Sequence, residues 1–118
     1  MKALLLILIL ASVFRFYGLN WDQGQHFHPD ERMITMVALK IQMPTTPEEW
    51  QNLFTPQSPL NPKFFAYGSF PLYLLKISGS LAAIFQPILN TYDGLNLVGR
   101  FLSAVFDLGT IIVLFLFQ

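Results

Sequence analysis

Seven consecutive residues, His26-Phe27-His28-Pro29-Asp30-Glu31-Arg32, concentrate two imidazoles, two carboxylates and a guanidinium in one short stretch. A carboxylate in such a cluster can act as a general base, and the planar fork of an arginine suits phosphate. The plainer reading makes Asp30 and Glu31 helix-start acids facing a helix dipole, with Arg32 as a solvated partner. His26, His28, Asp30 and Glu31 also offer ligands for a divalent ion, although His-x-His outside a strand is a weak metal signal. Lys63 precedes the aromatic run Phe64, Phe65, Tyr67, Phe70 and Tyr73, where an ammonium could meet a lipid phosphate or simply anchor at an interface.

Two further charges, Lys76 and Asp107, stand inside apolar runs. Ionisable groups at such depth are costly and face a protein interior or a cavity. An ion pair between them, or interhelical hydrogen bonds, is the structural expectation; Lys76 as a substrate-binding cation, or the two as an ion path, is the functional one.

These residues need elements to hold them. Of the 118 residues, 53% are hydrophobic and 12% charged, a balance suited to a bilayer rather than water. Ala3 to Phe14 is nearly unbroken Leu, Ile, Val and Phe, and with Lys2 and the flanking Arg15, Phe16, Tyr17 and Leu19 it reads as an uncleaved span over residues 1–19. A signal-peptide core is the alternative, but no A-x-A site follows. Residues 20–68 are a polar loop holding both histidines, five of the seven acids and six of the eight prolines. Within the loop, Asp30 to Ile41 predicts a short helix, and Thr46-Pro47-Glu48-Glu49 predicts the start of another; both would be amphipathic surface helices. A second span is expected over 69–89, a turn-like connection over 90–99 and a third span over 100–118.

The expected fold is therefore an all-α membrane protein with three transmembrane helices and an extracytoplasmic loop carrying short amphipathic helices. Placing Lys2 and Arg100 on the cytoplasmic side, Arg100 as an interfacial anchor, puts the loop outside the cell membrane. The apolar end at Gln118 suggests a fragment of a larger multi-pass protein. Scattered basic residues exclude a nucleic-acid partner, and the absence of cysteine excludes disulfides and thiolate metal sites.

The stretches GLNWDQGQHFHPDERMI, FFAYGSFPLYLLK and LVGRFLSAVFDLGT resemble the amino-terminal part of bacterial membrane glycosyltransferases of the C-type fold, alongside protein O-mannosyltransferases and lipid A aminoarabinose transferases. The resemblance covers essentially the whole chain, and its most specific element is the acidic pair Asp30-Glu31. It implies inverting transfer of a hexosyl or pentosyl group from a polyprenyl-phosphate donor to a glycan, lipid or protein acceptor on the outer face. Asp30, then Glu31, would be the catalytic base. Arg32, Lys63, Lys76 and His28 are the substrate-binding candidates. Here Arg32 follows the acidic pair directly, whereas the aminoarabinose transferases interpose one residue, and Ser69 and Phe70 occupy the place of their lysine. The chemistry requires no metal or other cofactor, and three spans alone should be inactive. A lipid-binding or assembly subunit and a transporter fragment are the competing classes.

Overall fold

The computed structural model describes residues 2–117. All regular structure in them is helical: α1 (Lys2–Phe16), α2 (Pro29–Lys40), α3 (Pro47–Gln51), α4 (Phe70–Ala82), a 3-10 turn (Pro87–Asn90) and α5 (Tyr92–Leu116).

Local chemistry sets each start. Pro29 opens α2 at a position whose N–H would be unpaired anyway, and it holds His28 in extended backbone. Asp30 and Glu31 then sit in the first turn and Lys40 in the last, each complementing the helix dipole. At α3, Thr46 and Glu49 form a reciprocal capping box beside Pro47. Gly18, at φ +70°, ends the chain's run out of α1.

α2 is the wedge of the structure. Val37 and Ile41 pack with Leu72 of α4, closed over by Leu60, Phe64 and Tyr73. Ala38 packs with Leu75 of α4 and Leu95 of α5. Leu72 and Leu95 are fully buried, each contributing about 1.5–3 kcal/mol of apolar burial. The Tyr73 hydroxyl donates to the Leu60 carbonyl at 2.8 Å, tying the loop's return to α4. α2 is thus held among protein elements on its Thr35, Val37 and Ala38 side, with Met33 and Met36 exposed.

α1 packs along the far half of α5. Its half-buried residues Leu4, Leu8, Ala11, Ser12 and Phe16 recur at helical spacing, as do Ala104, Leu108, Ile111 and Phe115 on α5. Phe16 meets Phe101 with ring centroids 5.5 Å apart and Arg15 pairs with Asp107 further along α5, the order of an antiparallel pair.

The described residues show the expected all-helical fold but do not show three transmembrane helices. α5, at 25 residues, is the one described helix long and apolar enough to cross a bilayer. α1 has 15 residues and α4 has 13, about 22 and 20 Å of helix against a hydrocarbon core of about 30 Å. The helix of the second apolar run stops at Ala82, before Pro87. Most of the expected 90–99 connection is instead the first turns of α5, which begins at Tyr92 behind a Thr91 cap.

Candidate functional site

The centre of the polar region is Arg100, a residue expected to sit at the cytoplasmic interface. It is buried instead, among groups from the loop. Its Nη1 and Nη2 donate to the two Asp22 carboxylate oxygens at 2.9 and 2.7 Å. Nη2 also donates to Glu31 at 2.7 Å, Nε lies 3.2 and 3.3 Å from the Glu31 oxygens, and Nη1 reaches the Leu19 carbonyl at 3.1 Å. Trp21 covers the guanidinium at 5.1 Å. All five N–H donors are thereby occupied, so this arginine fastens residues 19–31 to α5 rather than offering a hand to a ligand.

Asp22 is fully buried at its side chain. The Arg100 hydrogen bonds, helped by the Gly24 N–H, hold its carboxyl well below the usual carboxylate range against the opposing effect of burial. Two carboxylates around one guanidinium leave the cluster with one negative charge.

The two members of the acidic pair therefore have different surroundings. Glu31 is tied to Arg100 with its side chain 31% exposed. Asp30 is exposed, pairs with no cation among the described residues and accepts a hydrogen bond from the Tyr67 hydroxyl at 2.8 Å. That bond in turn raises the Tyr67 phenol above its ordinary value, because ionising it would set two anions together.

The other predicted residues scatter. His26 is buried at φ +52°, a left-handed conformation uncommon for a residue with a side chain. It is held there from both ring nitrogens: the Asn96 amide donates to Nδ1 at 3.1 Å, so Nε2 carries the proton and lies 2.6 Å from Asp93. Tyr92 lies against its ring at 4.2 Å. With both nitrogens engaged, His26 does not join His28, Asp30 and Glu31, and no group of three or more His, Asp or Glu placed to hold a metal occurs among the described residues. His28 is exposed at the start of α2 and makes no capping bond. Arg32 and Lys63 are exposed, with no ion pair among the described residues. The expected Lys76–Asp107 pair is replaced by two separate contacts. Asp107 pairs with Arg15, a flanking residue of the first expected span, and Lys76 approaches Asn90 at 3.5 Å. The carboxylate and ammonium of the transporter reading thus have different partners.

A cleft of about 830 Å³ lies between α1, α2, α4 and α5. Glu31, Arg100 and Trp21 form one part of its wall, Arg15 and Asp107 another, and Ile34, Phe70 and Leu74 are among its apolar lining. Of the expected site residues, Glu31 alone lines it. Sequence reasoning missed Asp22, Tyr67 and Arg100's role. The available signal was Arg100 itself, a cation beside an apolar run that needs a buried counter-charge, and Trp21-Asp22 just beyond α1. No protein-family model, curated protein or solved structure matches this chain.

Proposed function

We propose that the chain forms part of an inverting membrane glycosyltransferase that moves a sugar from a polyprenyl-phosphate carrier to an acceptor hydroxyl at the outer membrane face. The observation that carries this reading is the divergence of two adjacent carboxylates: Glu31 is paired with and fixed by Arg100, whereas Asp30 faces solvent with only a phenol for partner. Neighbouring acids in different environments are suited to different tasks. Asp30 is the base and Glu31 the positioning residue that orients the start of α2. The motif resemblance supplies the substrate class.

In the transfer, the acceptor oxygen bonds to the anomeric carbon while its proton passes to Asp30. The bond from that carbon to the carrier phosphate breaks, and its electron pair leaves on the phosphate oxygen. A cation must balance that charge. Arg100 has no donor left for it, so the exposed Arg32 and Lys63 are the loop's candidates. The cleft beside Glu31 gives an apolar wall to the lipid portion of the donor.

The test uses the full-length protein in native-like membranes, following sugar loss from a polyprenyl-phosphate donor. Asp30→Asn is expected to lower turnover by about 10²- to 10⁴-fold with folding intact. Turnover equal to the parent's would overturn the assignment of the base. Donor binding without turnover in the parent would favour a lipid-binding subunit.

A further inference from the structure

We infer that this part of the chain crosses the bilayer twice, through α1 and the far half of α5, and that α4 lies on the loop side, its outer face resting on the lipid headgroup boundary. The inference stands apart from the transferase reading and concerns the surface that meets lipid.

Burial divides α5 in two. Its five buried residues, Gly94, Leu95, Asn96, Arg100 and Ala104, all fall in its first thirteen positions. Beyond them, Val105, Phe106, Ile112, Val113 and Leu114 are exposed large apolar residues. α1 matches that half: none of its residues is buried, and Leu5, Leu6, Ile9, Leu10 and Val13 face outward. The apolar exterior covers about 22 Å of α1 and about 18 Å of α5 beyond Ala104, less than a full hydrocarbon core. An antiparallel pair of that length crosses by local thinning of the bilayer and by flanking residues that reach the headgroups.

α4 packs on the other half. Leu75 lies against Gly99 and Gly79 against Leu95, which sets α4 beside the buried stretch of α5, level with α2 and the loop. The hydrogen bonds of Arg100 to Asp22 and Glu31 place the loop at the same level of α5. If α4 carried the chain to the opposite face, the start of α5 would have to leave those loop partners behind. His26 of the loop bonded to Asp93 and Asn96 makes the same point one helical turn earlier. Ile77, Leu81, Ile84 and Phe85 remain exposed along and just after α4, an apolar strip continuous with the loop-side end of the helix pair. An interfacial helix buries such a strip at the headgroup boundary.

These 118 residues contain no cysteine, so single cysteines placed in them are read against the full-length protein with any cysteine elsewhere replaced by serine. In the full-length protein in intact cells, Gln57→Cys marks the loop and Gln86→Cys marks the segment after α4; both glutamines are exposed. With a membrane-impermeant maleimide, the two sites are expected to label together, both before or both after permeabilisation. Labelling on opposite sides would overturn the inference and restore a spanning α4. Spin labels at Ile77→Cys and Ile112→Cys in vesicles give a second readout: Ile112 is expected at hydrocarbon depth and Ile77 at the interface, and equal depths would overturn it. Neither readout depends on turnover, so failure here leaves the transferase assignment untouched.

Discussion

At the scale of single residues, the chemistry of this region turns on which charges are already spent. Arg100 holds Asp22 and Glu31 by two adjacent edges of one guanidinium that share Nη2, a geometry that lysine cannot reproduce. Arg100→Met leaves two carboxylates without their counter-charge and is expected to cost about 3–5 kcal/mol, measured by thermal unfolding in detergent, and Arg100→Lys should recover little of it. Asp22 carries a pH signature. Its folded pKa is depressed, so its contribution to stability is complete above the ordinary carboxylate pKa, about 3.9. It is lost as pH falls from there toward the folded value. The parent's melting temperature should therefore drop below about pH 4, and Asp22→Asn should flatten that acid limb while lowering stability at neutral pH. An unchanged acid limb would mean that other carboxylates govern it.

At the scale of elements, the helix starts were legible and the long-range pairings were not. The predicted Asp30–Ile41 helix is Pro29–Lys40, and the expected Thr46 cap is present, because proline and capping chemistry act over three or four residues. The stretch from Asn90 to Leu97 misled because Asp93, Gly94 and Asn96 are turn formers by type. In the fold Asp93 faces the positive end of α5 and Asn96 holds His26. Gly94 is required because a Cβ there would meet the Ile88 carbonyl and come within 2.6 Å of the Leu89 Cα. None of these partners is visible to local propensity, and the Arg100 contacts span 69 and 78 residues of sequence. The contrast gives a direct check. Gly94→Ala must push the 3-10 turn off α5 and is expected to cost about 1–3 kcal/mol. Gly109→Ala, with open space around its Cβ, should be neutral or stabilise by up to about 1 kcal/mol through helix propensity. Thr46→Ala removes the α3 cap and should cost about 0.5–2 kcal/mol locally, read as faster hydrogen exchange over residues 47–52.

At the scale of the whole molecule, the polar layer and the apolar helix pair meet at Arg15 and Asp107. This contact joins α1 to α5 beyond the Arg100 cluster and lines the same cleft. In a low-dielectric surround each charge is costly without the other, whereas a matched apolar pair need not be worse than the ion pair. The two residues should therefore couple in a double-mutant cycle. Arg15→Leu and Asp107→Leu alone are each expected to lower the stability of the full-length protein in bilayer discs, and the double variant to fall short of their sum by about 0.5–3 kcal/mol. If the single substitutions were additive, the pair would be a solvated surface contact, and α1 would be held to α5 by its apolar stripe alone. A positive coupling that weakens when the same variants are moved from bilayer to detergent would instead locate Arg15 and Asp107 against lipid, at the seam where the cleft opens toward the membrane.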